Sequence, residues 1–278
     1  MLHMSRAYLN KVYNRDCVDG MDGLIQSGIE VDLIVADPPY VISRGSNFHT
    51  MKDRKNARTG TAFGKWDEEF DNNDWIKRSF SVLKDGGSLV TFNDFKKVSD
   101  IITIATKAGF EFKDVIAWEK TNPMPRNRDR RYVPSLEIMI WFVKKKKAKW
   151  TFNRQDSSYQ SPVMRYPSES GGAFKRYHPT QKPVKLIEEI IKIHSNPGDL
   201  VLDPFMGSGT TAISAFNTGR RYVGFELDEK YFKILTSRIA EYTGNNPNAI
   251  FMEENDNLPE EETIATQQSL LQLVENQI

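Results

Sequence analysis

The run Val31-Asp32-Leu33-Ile34-Val35-Ala36 ends in Asp37-Pro38-Pro39-Tyr40, and no other stretch limits the fold so tightly. The run is rich in β-branched residues and nearly free of polar ones. It reads as a strand buried on both faces, as in a parallel sheet. Pro38 and Pro39 have no N–H to donate, so the strand cannot continue through them. Asp37 therefore stands at the carboxyl end of a buried strand, with Tyr40 on a stiff elbow just beyond. In an open α/β sheet that edge is where ligands bind.

The chemistry of the elbow is specific. The Asp37 carboxylate offers acceptors only. The Pro38 carbonyl adds another, held by two fixed φ angles. Two adjacent acceptors suit an –NH2 group, and Tyr40 supplies a flat face for stacking. The implied guest is an exocyclic amine on a heteroaromatic ring, such as adenine or cytosine. An Asp that merely caps a turn is the plainer reading of Asp-Pro alone; Asp-Pro-Pro-Tyr behind a buried strand favours the amine site.

Strand and helix patterns alternate along the chain. A strand is expected at Lys11–Asn14 and a polar helix over 21–27. A helix over 72–83 is ended by Asp85-Gly86-Gly87. A strand over 88–92, a helix over 95–108 stopped by Gly109, and a strand over 112–118 follow. This alternation predicts an open, doubly wound, mostly parallel α/β sheet covered on both faces. The apolar run 136–143 reads as the last strand of that sheet. A length of 278 residues suits one large α/β domain with insertions, or one domain plus a small one.

Two stretches break the alternation. Residues 41–66 lose periodicity and carry Arg44, Lys52, Arg54, Lys55 and Arg58 with a single acid, Asp53. Long loops beside a site are usually functional or disordered; this one is read as a phosphate-gripping lid, against a solvated loop with no role. Residues 121–177 carry Arg126, Arg128, Arg130 and Arg131, then one strand, then polar sequence with scattered aromatics. Arginine forks read guanine or grip phosphate, so this region is taken as the sequence-reading part, against a solubilising insertion.

The segment His178-Pro179-Thr180-Gln181-Lys182-Pro183 is expected to open a helix that runs to His194, with Pro183 in its first turn. A buried strand over 200–202 then ends in Asp203-Pro204-Phe205-Met206-Gly207-Ser208-Gly209-Thr210-Thr211. That is a strand end, a glycine turn and a helix start, where the backbone can approach a ligand and free N–H groups face it. No Lys follows the glycines, so it is not an ATP phosphate loop. The next strand ends in Glu226 about 20 residues on, the spacing at which an acid bonds ribose hydroxyls. Glycine turn plus ribose acid implies an adenosine-containing cofactor. A closing helix is expected over 228–241.

Charge and cysteine content narrow the partners. No Lys or Arg follows Arg238, while eight acids do, leaving 29 acids against 38 basic residues before that point. A basic body with an acidic tail is expected of a nucleic-acid partner. A single cysteine, Cys17, excludes an internal disulfide and any cysteine-based zinc site, and fits a reducing cytoplasm. No metal is expected. No apolar run reaches the length of a membrane span, and 1–10 lacks the apolar core of a secretory signal.

Asp-Pro-Pro-Tyr followed by the glycine motif resembles the DNA amino-methyltransferases of the β-class order: catalytic motif first, target recognition next, donor motif last. The resemblance covers roughly 11–241. It implies a Rossmann-like methyltransferase domain over 11–242, containing the basic loop 41–66 and the recognition region 121–177, with 243–278 as an acidic, flexible tail. It implies S-adenosylmethionine as cofactor and double-stranded DNA as partner. Asp37, Pro38, Pro39 and Tyr40 would be catalytic. Asp203, Phe205, Gly207, Ser208, Gly209 and Thr210 would line the donor pocket, Glu226 would hold the ribose, and Thr180 and Lys182 would contact the donor. Asp16-Cys17 looks like the family's pair near the donor's adenine, though Arg15 stands where the family usually has Gly. Asp at the first motif position goes mostly with N6-adenine, Ser with N4-cytosine. The expected function is site-specific N6-adenine methylation of a flipped base in duplex DNA, as in restriction–modification. The alternatives are an N4-cytosine enzyme on the same scaffold, an RNA or protein-glutamine amine methyltransferase, or a non-catalytic DNA-binding module that retains a donor pocket. The resemblance leaves open a homodimer and a companion restriction endonuclease.

Overall fold

Every residue of the strand β2 (Val31–Ala36) except Asp32 is at most 2% exposed. Leu33 and Val35 face one apolar core and Ile34 and Ala36 the other. A strand buried on both faces needs helices on both, and the computed structural model has them. It describes residues 9–40, 70–124, 129–130, 132–144, 149–156, 158–169, 177–178, 180–244 and 251–252.

In chain order the elements are β1 (Lys11–Asn14), α1 (Cys17–Gln26), β2, α2 (Asn72–Val82), β3 (Leu83–Asn93), α3 (Val98–Ala108), β4 (Glu111–Lys120), β5 (Leu136–Val143) and β6 (Val163–Tyr166). They continue with α4 (Val184–His194), β7 (Leu200–Asp203), α5 (Thr210–Asn217), β8 (Arg221–Glu226), α6 (Glu229–Thr243) and β9 (Phe251–Met252). Among the described residues the strands form one nine-stranded sheet in the order β6-β4-β5-β3-β2-β7-β8-β1-β9. All pairings are parallel except those of β5, which runs against β3 and β4. Helices α1, α2 and α3 cover one face through Met21, Leu24, Trp75, Ile76, Ile101 and Ala105. Helices α4, α5 and α6 cover the other through Leu186, Ile190, Ile213, Leu235 and Ile239. Among the described residues no helix is long and apolar enough to cross a membrane.

Several expected boundaries move. Helix α1 starts at Cys17, four residues early, because Asp16 caps it by accepting from the Val18 N–H at 2.8 Å. Asp85-Gly86-Gly87 does not separate helix from strand. It lies inside β3, where the Gly86 N–H donates to the Lys144 carbonyl (2.6 Å) and the Lys144 N–H to the Gly87 carbonyl (3.0 Å). A Cβ on Gly87 would sit 2.8 Å from the Asp32 carbonyl, so the glycine permits the close approach of β3 to β2. The residues expected to begin a helix at Phe95 form a short 3-10 turn before α3. Strand β5 is not the last of the sheet. It lies between β3 and β4, and the recognition region contributes a second strand, β6, on the edge beyond β4. Pro183 caps α4 and does not enter its first turn. Helix α6 runs to Thr243, and the expected tail returns as β9 beside β1.

Asp32, the one acid inside β2, fastens three strands. One oxygen takes the Lys84 ammonium of β3 at 2.7 Å, and the other accepts the Leu200 N–H of β7 at 2.9 Å. Asp32→Ala leaves that N–H without its acceptor. It is expected to lower unfolding free energy by about 1–3 kcal/mol in urea denaturation, with the far-ultraviolet dichroism of the folded form unchanged.

Candidate active site

Strand β2 hands the chain to α2 and β3 on one side of itself, and β7 hands it to α5 and β8 on the other. β2 and β7 are neighbours, so a crevice opens between their carboxyl ends, the switch point of a doubly wound sheet. The Asp-Pro-Pro-Tyr elbow ends one strand and the glycine turn follows the other. A cavity of about 770 Å³ occupies the crevice, within the range of small-molecule sites.

Its wall gathers nearly all the residues expected at the amine and cofactor sites: Asp16, Cys17, Asp37, Pro38, Pro39, Tyr40, Thr180, Lys182, Asp203, Phe205, Gly207, Ser208, Thr210 and Glu226. Gly209 is not on the wall. It adopts φ +77° as the N-cap of α5, against Ile239, so its contribution is to turn the chain. Of the residues expected to bind DNA, Arg130 is exposed on the connection between β4 and β5. Arg44, Lys52, Arg54, Lys55, Arg58, Arg126, Arg128 and Arg131 lie outside the described residues. Strand β4 runs parallel with β2, so the connection that carries Arg130 departs from the same sheet edge as Asp37.

The glycine turn is tied down at both ends. Buried Arg238 of α6 donates to the Ser208 carbonyl at 2.8 Å, the Ser208 hydroxyl at 3.0 Å and the Thr210 hydroxyl at 3.0 Å. Glu226 accepts the Gly207 N–H at 2.8 Å and the Asp228 N–H at 2.9 Å. Asp203 accepts the Phe205 N–H at 2.9 Å and the Thr211 hydroxyl at 2.5 Å. Burial pushes both acids up to about 7, against the pull of these donors. Phe205 packs edge-on against Phe70 and Trp75. Asp16 spends one oxygen on capping α1 while lining the cavity. Burial drives the Cys17 thiol up to about 12, so it is an inert apolar wall group at neutral pH.

At the other end of the cavity Tyr40 points its hydroxyl at Asp37 Oδ1, 2.6 Å away. It is thus a hydrogen-bond donor to the acid as well as the ring surface expected of it. Lys182 does not reach toward the glycine turn: its ammonium lies 2.7 Å from Asp37 Oδ2 and 3.3 Å from Glu137 Oε2. Burial raises the Asp37 carboxyl above the usual range although Lys182 opposes the rise. Glu137 was missed in the sequence; the signal available was an acid at a position of β5 with the same inward parity as Met139 and Trp141. His178 and Tyr231, whose rings meet at 4.2 Å on the cavity wall, were also not singled out. The arrangement can take a planar amine at one end and a nucleoside-bearing group at the other.

Comparison with known proteins agrees with this geometry. A family model described as DNA methylase, of the N6/N4 methyltransferase type, matches residues 31–237. The chain is 33% identical over 270 residues to the type II methyltransferase M.HinfI of Haemophilus influenzae, covering 87% of this chain and 71% of that protein. It is 32% identical over 230 residues to the type II methyltransferase M2.DpnII of Streptococcus pneumoniae, covering 75% and 82%. Among solved structures, the M1.HpyAVI–SAM complex matches with a TM-score of 0.65 at 37% identity, over 82% of this chain and 98% of that one.

Arg238 offers a direct test of how the turn is held. Arg238→Ala removes a nitrogen, Nη1, whose two hydrogens are shared among three acceptors of the turn 208–210, and is expected to cost about 2–3 kcal/mol of stability. The loss is read as a lowered midpoint in chemical denaturation.

Proposed function

Since the chain belongs to the N6/N4 family of DNA methylases, we propose that it transfers the methyl group of S-adenosylmethionine to the N6 amine of an adenine turned out of duplex DNA. The observation that carries this reading is the meeting, in one cavity, of the Asp37-Pro38-Pro39-Tyr40 elbow with the glycine turn and Glu226. The DNA would be methylated at a defined site, and a companion restriction endonuclease is a partner this reading leaves open. Arg130 and the basic residues of 41–66 and 121–177 would grip and read that DNA.

The donor fits the wall chemically. It is a cation with ribose hydroxyls to give, and the turn end of the cavity presents two carboxyl groups, buried Asp203 and half-buried Glu226. Glu226 would hold the ribose, and Asp203, Phe205, Gly207 and Ser208 would surround the methionine end. When bound, the donor supplies an electrophilic methyl on sulfur. The protein supplies the rest. Asp37 and the Pro38 carbonyl would accept the two amine hydrogens, which favours a pyramidal nitrogen and frees its lone pair. Asp37 would then stabilise positive charge as it develops on that nitrogen. The ring of Tyr40 would support the base once it leaves the duplex, and the rigid proline elbow fixes the amine for in-line approach.

Asp37→Ala is expected to lower kcat by at least about 100-fold while retaining donor and DNA binding. The check is nucleoside analysis of unmethylated DNA treated with labelled donor. N6-methyladenine supports the proposal, and N4-methylcytosine would move the target to cytosine. Donor affinity should also depend on pH. Ribose hydroxyls need an ionised Glu226, which carries a proton below about 7 in the free protein. Affinity is therefore flat above about pH 8 and weakens as pH falls through 7. Calorimetry from pH 6 to 8.5 measures it, and Glu226→Gln should reduce the slope at a weaker affinity, leaving the part that Asp203, also pushed to about 7, contributes.

A further inference from the structure

The cation beside Asp37 is fixed on several sides. Lys182 is 7% exposed, and its ammonium sits 2.7 Å from Asp37 Oδ2 and 3.3 Å from Glu137 Oε2. The Phe92 ring lies 4.8 Å away. Glu137 is itself gripped by Lys120 at 2.7 Å. Asp37, Lys182, Glu137 and Lys120 thus form a chain of alternating charge. It runs from the amine site to the base of the connection between β4 and β5.

We propose that Lys182, held in place by Glu137, is the positioning residue of the amine site, keeping Asp37 ionised and orienting its carboxylate. This differs from the donor contact that the family resemblance implies for Lys182, and it rests on the methyl-transfer reading above. The physical case has two parts. A carboxyl this enclosed tends to keep its proton, and a protonated carboxyl loses acceptor capacity that an incoming –NH2 needs. Two negative groups work in that direction, Glu137 on β5 and Asp203 across the crevice on β7, while Asp94 beyond β3 acts on Tyr40; the Tyr40 hydroxyl, as a donor to Oδ1, instead favours the carboxylate. The Lys182 ammonium opposes them.

The second part is geometric. Lys182 occupies Oδ2 and the Tyr40 hydroxyl occupies Oδ1. Beyond its bond to Asp37 the Tyr40 hydroxyl takes only a long contact, 3.5 Å, from the Lys182 ammonium, whereas that ammonium is held between two carboxylates. An arriving amine therefore displaces the Tyr40 hydroxyl and takes Oδ1. Glu137 makes this work by sharing the ammonium, so Asp37 keeps its strength as an acceptor and its attraction for a nitrogen that is gaining charge.

The test follows the Asp37 carboxyl directly by carbon-13 NMR pH titration of the free protein, with donor affinity by calorimetry and kcat against pH on DNA. In Lys182→Met the Asp37 titration is expected to move up by about one pH unit or more. At neutral pH kcat should fall about tenfold or more, recovering as pH is raised, with donor affinity within about threefold of the parent. Lys182→Arg should restore the titration. Should Lys182→Met fail to fold, Glu137→Gln decides. Removing that negative neighbour moves the Asp37 titration down and lowers kcat, because Lys182 is less firmly held, without changing donor affinity. The proposal is overturned if the Asp37 titration stays put in the variants that fold, or if Lys182→Met loses donor affinity with the acid limb of kcat unmoved. The NMR readout needs no DNA, so a parent protein that methylates cytosine, or no DNA at all, would unseat the functional reading while the titration still decides the role of Lys182.

Discussion

β2 and β7 are hydrogen-bonded side by side, yet the chain leaves them in opposite directions, to β3 and to β8. No single helix covers both departures, and a crevice at their carboxyl ends is the geometric result. The chemical groups of the protein hang on its two lips. Asp37 and its proline elbow stand on one, Asp203 and the glycine turn on the other. Motifs far apart in the chain become neighbours because the strands that carry them are paired.

The crevice holds several acids, and the fold treats them in two different ways. Asp203 and Glu226 are met by backbone N–H groups and hydroxyls, with no lysine or arginine paired to either among the described residues. They remain hungry for positive charge, which suits a sulfonium donor. Asp37 carries its own ammonium from the start, which suits a neutral amine that must be held as a hydrogen-bond donor before it becomes charged. One cavity can thus sort a cationic from a neutral reactant by how each end has been neutralised.

Features governed by local rules were legible in the sequence. The β2 run, the proline stop, the glycine turn and the acid ending β8 each depend on a few adjacent residues, and the structure places each where the pattern put it. Features governed by distant partners were not. Gly86-Gly87 reads as a turn, but pairing with Lys144 draws it into β3. Leu136–Val143 is apolar enough to be a strand, yet nothing in it says that it runs antiparallel between two others. Phe152 in the polar-looking segment stacks on Trp141, and the neighbouring Asn153 bonds to the end of α4, so part of that region is packed scaffold. The ion pair between Asp37 and Lys182 spans 145 positions of sequence, and no spacing rule reaches so far. The basic loop 41–66 and most of the arginines expected to read DNA fall outside the described residues.

Strand β1, from the beginning of the chain, is seated between β8 and β9, from near its end. Asn14 and Arg15 bond to the Glu226 carbonyl there, and Asp16 joins the cavity wall. During synthesis, which proceeds from the N-terminus, β1 must wait without its neighbours until β8 has emerged. The elbow at Asp37 is made early, but the wall that faces a nucleoside closes only once β8 is in place. A chain cut before β8 therefore lacks the pocket by which ligand binding would stabilise it, and it is left more open to proteolysis than one that includes β8.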